Sequence, residues 1–211
     1  MVAGQLDEVG VSPSSIILEP VARGTAPAIA VAAKLVEARH NDDVMAVFPA
    51  DHVIADNDAF KAALDQAVAL ANEGHLVTFG ITPQSAHTGY GYIRLKGELE
   101  KGVGQIDEFV EKPDAITAQA YLDHGGYFWN GGMFVFKASA MLEAFAEHAP
   151  DVLAACNMAV SDARPDGYFL HLEKSSFEST PADSIDYAVM EKSSRTMMVP
   201  LNAGWGDIGS W

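Results

Sequence analysis

Val44-Met45-Ala46-Val47-Phe48-Pro49-Ala50-Asp51-His52 is the stretch on which the reading of the fold turns. Its five leading apolar residues read as a buried strand, and Asp51 arrives just beyond the strand's end. In open α/β proteins, side chains at strand ends face the crevice where ligands bind. The flanking segments keep to that architecture. Upstream, Ile16-Ile17-Leu18 reads as a strand and residues 26–38 as an alanine-rich helix with Pro27 in its first turn. Downstream, residues 59–71 form an amphipathic helix pattern and Leu76-Val77-Thr78-Phe79-Gly80-Ile81 returns to strand. Residues 89–95 and 104–110 suggest an antiparallel excursion. A helix over 115–123, a strand Gly132-Met133-Phe134-Val135-Phe136 and two helices flanking Pro150 follow. Strands alternating with helices predict an α/β sheet covered by helices, in one domain over residues 1–211 without repeats or linkers.

A second acidic residue sits in unusual company, in Gly204-Trp205-Gly206-Asp207-Ile208-Gly209-Ser210-Trp211. Glycines let backbone approach a ligand closely, and the two tryptophans shape a rigid wall. If Asp51 and Asp207 meet, their repulsion at ~4 Å and an effective dielectric of ~20 costs about 4 kcal/mol, which a divalent cation removes. Convergence therefore predicts Mg²⁺ and a phosphate-bearing substrate. Asp51 taken alone also suits a turn or a helix N-cap.

Composition narrows the partners. Twenty-nine acidic residues against thirteen basic ones give a formal charge of −16, a field that repels nucleic acid and acidic membranes. No apolar stretch is long enough to span a bilayer, and the amino terminus lacks the basic-then-apolar order of a signal peptide, so the expected location is cytoplasmic. The lone Cys156 cannot form an internal disulfide, in keeping with a reducing compartment. The histidines show no zinc-like spacing, and His52, alternating with Asp51 along an extended chain, supports the strand end rather than a metal.

Further segments offer binding chemistry. Glu19-Pro20-Val21-Ala22-Arg23-Gly24-Thr25-Ala26-Pro27 joins a strand to a helix whose first-turn amides make an anion or carbonyl-oxygen site. The Glu19 carboxylate can accept two hydrogen bonds from the N1–H and N2–H₂ edge of guanine, although a solvent-facing Glu before a turn has the same sequence. Glu111-Lys112-Pro113 follows a strand and presents a carboxylate beside an ammonium, suited to a sugar phosphate and equally to an ordinary surface turn. Trp129-Asn130-Gly131-Gly132-Met133 places an aromatic, an amide and paired glycines ahead of a strand, where Asn130 can meet sugar hydroxyls. Thr88-Gly89-Tyr90-Gly91-Tyr92-Ile93 has the same character, and a hairpin turn explains its glycines as well.

In order, these segments together with Ser184-Ile185-Asp186-Tyr187-Ala188-Val189-Met190-Glu191-Lys192 resemble the mannose-1-phosphate guanylyltransferases from about Ile16 onward. The resemblance implies a Rossmann-like (GT-A-like) nucleotidyltransferase fold, a mixed and mainly parallel sheet flanked by helices. It implies formation of GDP-mannose and pyrophosphate from GTP and mannose 1-phosphate with Mg²⁺, in polysaccharide biosynthesis. By position Asp51 and Asp207 match the metal-binding acids, with Lys112 as a third catalytic group. Glu19, Pro20, Thr25 and Ala26 match the nucleotide segment, and Gly91, Glu111, Lys112, Asn130 and Gly131 the sugar-phosphate pocket. Gly24 stands where these enzymes commonly have Asn. The family's amino-terminal strand, its Gly-rich basic loop and the carboxy-terminal cupin isomerase of many bacterial relatives have no counterpart in the sequence, which reads as truncated at both ends. A sugar-nucleotide-binding regulatory fragment and a transferase for another nucleotide or sugar stay open as alternatives, as does assembly into a homo-oligomer.

Overall fold

The computed structural model describes residues 2–40, 42–100 and 102–209; Ser210 and Trp211, which end the tryptophan-rich motif, lie outside the described residues. In chain order the elements are α1 (Val2–Glu8), β1 (Ile16–Leu18), α2 (Thr25–His40), β2 (Val44–Val47), β3 (His52–Val53), α3 (Asn57–Asn72), β4 (Leu76–Ile81) and β5 (Tyr92–Leu95). Then come β6 (Gly104–Val110), α4 (Ala115–His124), β7 (Tyr127–Lys137), α5 (Ala138–His148), α6 (Pro150–Ser161), β8 (Arg164–Asp166), β9 (Phe169–His171) and α7 (Lys174–Glu178). A single π-helical turn, Asp186–Met190, precedes β10 (Thr196–Pro200) and β11 (Gly206–Asp207).

A six-stranded sheet ordered β2-β7-β4-β10-β6-β5 forms the centre, with β1-β9-β8 as a smaller sheet and β3-β11 as a two-stranded ribbon. The central sheet is mixed, as expected, but its balance of directions is not. Of its pairings only β4 with β10 is parallel; β7 runs antiparallel to β2, β4 and β5, and β6 antiparallel to β5 and β10. The expectation of a mainly parallel sheet is corrected here: β5 and β6 form a hairpin, and the eleven-residue β7 is shared as an antiparallel neighbour by three strands.

Alternation along the central strands builds two apolar layers. Leu76, Phe134, Phe136 and Met198 face one cluster with α2, α5 and α6, while Val77, Phe79, Met133, Val135 and Val199 face another with α3. Helix α3 starts on Asp56, whose carboxylate accepts from the Ala59 amide at 2.9 Å, and buries Ala63, Ala67 and Ala71 at four-residue spacing. Helix α6 begins with Pro150 in its first turn, where a missing N–H costs nothing. Among the described residues no helix is long and apolar enough to cross a membrane.

Strand β7 starts earlier than its apolar run suggests and includes Trp129-Asn130-Gly131, which precede the strand expected from Gly132. Thr78 lies opposite Phe134 but Gly80 lies opposite Asn130, so two extra residues of β7 form a bulge between them. A Cβ at Gly131 would stand 3.0 Å from the Phe79 carbonyl oxygen, and Gly132 has φ of +64°, so the bulge needs both glycines. Its effect is to aim Asn130 at the sheet's end.

Candidate active site

Ribbon β3-β11 brings the two aspartates together. Asp207 lies opposite His52, the residue after Asp51, and the Ile208 amide donates to the Asp51 carbonyl at 3.0 Å. One ligand atom each from Asp51, His52 and Asp207 lie within 4.8 Å of one another, and both carboxylates are exposed. Space for an ion depends on Gly209, whose added Cβ would stand 2.6 Å from Asp51 Oδ2 and 3.0 Å from Asp207 Oδ1. The Gly209 amide donates to Asp207 Oδ1 at 2.8 Å and fixes that carboxylate's direction. The donor set, two hard carboxylates reachable from solvent, fits a divalent cation.

His52 has another task. Its Nδ1 accepts from the Trp205 indole N–H at 3.2 Å, and the two rings pack edge to face at 5.3 Å. A neutral imidazole that accepts at Nδ1 carries its proton on Nε2 and has no lone pair left for a metal. His52 therefore braces Trp205, which also meets the Tyr90 ring at 5.4 Å.

Beyond Asp207 a cleft runs past Tyr90 and Trp205 to Gly91, Glu111, Asn130, Gly131 and Asp186. Three strand ends position this far wall. Tyr92 pairs with Val110, so Gly91 and Glu111 face each other just beyond the β5–β6 ladder, and a Cβ at Gly91 would lie 2.5 Å from Glu111 Oε2. The Asn130 amide donates to the Gly91 carbonyl at 2.8 Å, joining β7 to the same rim. Asn130 is 7% exposed; its Oδ1 accepts from Thr78 Oγ1 at 2.7 Å and from the Gly132 amide at 3.3 Å. Its Nδ2 donates to Asp186 Oδ1 at 2.9 Å.

Lys112 Nζ meets Glu111 Oε1 at 2.9 Å, with the Glu111 side chain only 8% exposed and that of Lys112 59%. This bond holds the lysine's pKa above its ordinary value. Lys112 also adopts φ of 48°, a left-handed conformation unusual for a residue with a Cβ. Burial, reinforced by the charge of Glu111, pushes the Asp186 carboxyl up to about 7. Burial likewise raises Tyr90, which the Asp207 charge raises further.

The strand–helix segment expected to read a nucleotide stands apart. Glu19, Pro20, Thr25 and Ala26 do not line this cleft. The expectation of open amides at the start of α2 is corrected at Ala26, which is fully buried and whose amide donates to the Asp183 carbonyl at 3.2 Å. Thr25 Oγ1 accepts from the Ile185 amide at 2.9 Å, the Asp183 amide donates to the Arg23 carbonyl at 3.0 Å, and a Cβ at Gly24 would meet the Asp183 carbonyl oxygen at 2.3 Å. Glu19 remains exposed at the end of β1, with partial burial raising its pKa. Cys156 is buried against Pro27, and burial pushes its thiol up to about 11, which makes it inert at neutral pH.

Asp186 and Tyr90 are site residues to which the sequence gave no role of their own, whereas Trp205 and Gly209 belong to the segment read as a pocket wall. For Asp186 the available signal is an acid set among Ile185, Ala188, Val189 and Met190, all of which are buried.

A mixed sheet layered by helices, with an acidic pair and a polar cleft at its strand ends, defines an α/β nucleotidyltransferase fold. Residues 2–211 match the family described as Nucleotidyl transferase, and the chain belongs to that family. It is 51% identical to the xanthan biosynthesis protein XanB of Xanthomonas campestris pv. campestris and 48% identical to the mannose-1-phosphate guanylyltransferase of Escherichia coli K12, each match covering all of this chain and 45% of the relative. The chain thus spans about half the length of the curated relatives it matches. Among solved structures, the mannose-6-phosphate isomerase of Helicobacter pylori superposes with a TM-score of 0.89 at 32% identity, over 97% of this chain and 79% of that one.

Proposed function

We propose that residues 1–211 form one nucleotidyltransferase domain that transfers a guanylyl group from GTP to mannose 1-phosphate, giving GDP-mannose and pyrophosphate. The observation that carries this reading is the convergence of Asp51 and Asp207 at one end of a cleft whose other end holds Gly91, Glu111, Asn130 and Gly131. Guanylyltransferase relatives at 48% identity support the choice of substrates, and the enzyme acts in the cytoplasm.

The chemistry needs little from side chains beyond charge and alignment. A phosphate monoester has a second pKa of about 6, so mannose 1-phosphate enters mostly as the dianion and its oxygen attacks the α-phosphorus without a general base. The bond from that phosphorus to the β-phosphate oxygen breaks, and pyrophosphate leaves with the electron pair. Mg²⁺ held by Asp51 and Asp207 would supply charge neutralisation between the two anionic reactants. Lys112, released from Glu111, holds the attacking phosphate in line, and Asn130 with Glu111 takes the sugar hydroxyls. Gly91 and Gly131 let the ring approach the backbone. The exposed Glu19–Pro20 turn reads the guanine edge, Glu19 accepting both donors.

The test is GDP-mannose formation from GTP, mannose 1-phosphate and Mg²⁺. Asp51→Asn and Asp207→Asn should each lower kcat by at least about 10²-fold while mannose 1-phosphate still binds. Glu19→Gln should relax the preference for GTP over other nucleotides. Unchanged turnover in both aspartate variants would refute the assignment.

A further inference from the structure

The chemistry above gives Asp186 no task, yet its surroundings are demanding. It opens the π-helical turn Asp186–Met190, a conformation often kept at functional sites, and its neighbours Ile185, Ala188, Val189 and Met190 are buried. It forms no salt bridge among the described residues. A half-buried carboxylate in that condition is expensive, and partial burial with the Glu111 charge does hold its pKa high.

The hydrogen bonds around it show which ligand would repay that cost. Asn130 Nδ2 occupies Asp186 Oδ1, which leaves Asp186 Oδ2 as an acceptor, and Glu111, bonded to Lys112 in the free protein, adds its own carboxylate once the lysine turns to the phosphate. Asn130 cannot swing to replace either, because its carbonyl oxygen is held by Thr78 Oγ1 and the Gly132 amide. Two carboxylates side by side repel a phosphate and welcome O–H donors. The Asp186 and Glu111 carboxylates are therefore suited to hydroxyls, and the anionic part of the ligand belongs between Lys112 and the Asp51–Asp207 pair.

We propose that Asp186, held by Asn130, accepts a hydrogen bond from a ring hydroxyl of the hexose 1-phosphate and thereby helps set which sugar the cleft admits. The inference rests on the proposed function and adds to it a residue that discriminates among sugars.

The experiment is calorimetric titration of the protein with mannose 1-phosphate and with its monodeoxy analogues, alongside KM values for GTP. In the wild type at about pH 8, where the Asp186 carboxyl is mostly ionised, one deoxy analogue should bind about 10- to 100-fold more weakly than mannose 1-phosphate, the range expected for a hydrogen bond to a charged acceptor. In Asp186→Asn, which keeps the size and the contact with Asn130, that penalty should vanish while the KM for GTP is unchanged. Asp186→Ser should repeat the loss of discrimination, and a urea midpoint for each variant separates it from misfolding. The same penalties at every position in both folded variants, or no wild-type preference between mannose 1-phosphate and any analogue, would overturn the inference. The GDP-mannose assay reports separately: product formed with sugar preference independent of Asp186 removes this inference and keeps the function. Sugar discrimination lost on substitution, without product from the wild type, removes the function and keeps Asp186 as a sugar-recognition residue.

Discussion

Asp207 stands opposite His52 in the β3-β11 ribbon, and this register brings the Asp207 carboxylate beside that of Asp51. A slip of one residue would turn Asp207 to the other face. Gly209 completes the arrangement by leaving the space between the acids open. We therefore expect Gly209→Ala to fold normally, because residue 209 is exposed, and to raise the Mg²⁺ concentration for half-maximal GDP-mannose formation by about tenfold or more. A magnesium titration of activity, with thermal unfolding as control, checks this.

Lys112 combines a left-handed backbone with a salt bridge to Glu111. Alanine and glycine at this position separate the two features. Both remove the ammonium, so both should lose about 10²-fold or more in turnover. They should differ in stability: glycine relieves the strained φ, and Lys112→Gly should be about 1 kcal/mol more stable than Lys112→Ala. At an unstrained position the order would reverse, because glycine loses more entropy on folding. Urea unfolding of the two variants gives the sign directly.

Much of this was legible in the sequence because local patterning and final packing agree. Ile16–Leu18 and Leu76–Ile81 are strands over the expected residues, and Pro150 divides α5 from α6 as its chemistry requires. Asp51 with Asp207, and Gly91 with Glu111, Asn130 and Gly131, were found as motifs and are gathered in space. Strand β10 escaped notice because Thr196-Met197-Met198-Val199-Pro200 is short and ends in proline; its identity comes from lying between β4 and β6, a tertiary fact. The antiparallel course of β7 is tertiary for the same reason. Asp186 was hidden because a single acid beside apolar residues looks like a helix surface until Asn130 and Glu111 enclose it.

Burial of Asp186 has a consequence for stability. Its carboxyl is raised in the folded chain to about 7 from the ordinary aspartate value of 3.8, so the folded state binds the proton more tightly than the unfolded state does. For an acid shifted upwards, this contribution is fully present below the unfolded pKa and is lost as pH rises through the folded one. Asp186→Asn removes that loss. The variant should gain stability over the wild type progressively between about pH 4 and pH 7, by an amount on the order of 2–4 kcal/mol at pH 8. Urea midpoints at pH 5 and pH 8 for both proteins test it. An advantage that does not grow with pH would mean Asp186 ionises freely.

Thr25 links the segment that the sequence assigns to the nucleotide with the turn that carries Asp186. Its Oγ1 accepts from the amide of Ile185, the residue before Asp186, while the neighbouring Asp183 is bonded to both Arg23 and Ala26. Thr25→Val keeps the shape but leaves the Ile185 amide without its acceptor, at a cost of about 1–3 kcal/mol in stability. Because that amide holds the turn carrying Asp186, the KM for mannose 1-phosphate should rise several-fold and the KM for GTP should change less. Thr25→Ser retains the acceptor and should stay close to the wild type in both. Measuring pyrophosphate release while varying each substrate in turn decides the matter. A rise confined to the KM for GTP would return Thr25 to direct nucleotide contact and sever its link to the sugar side.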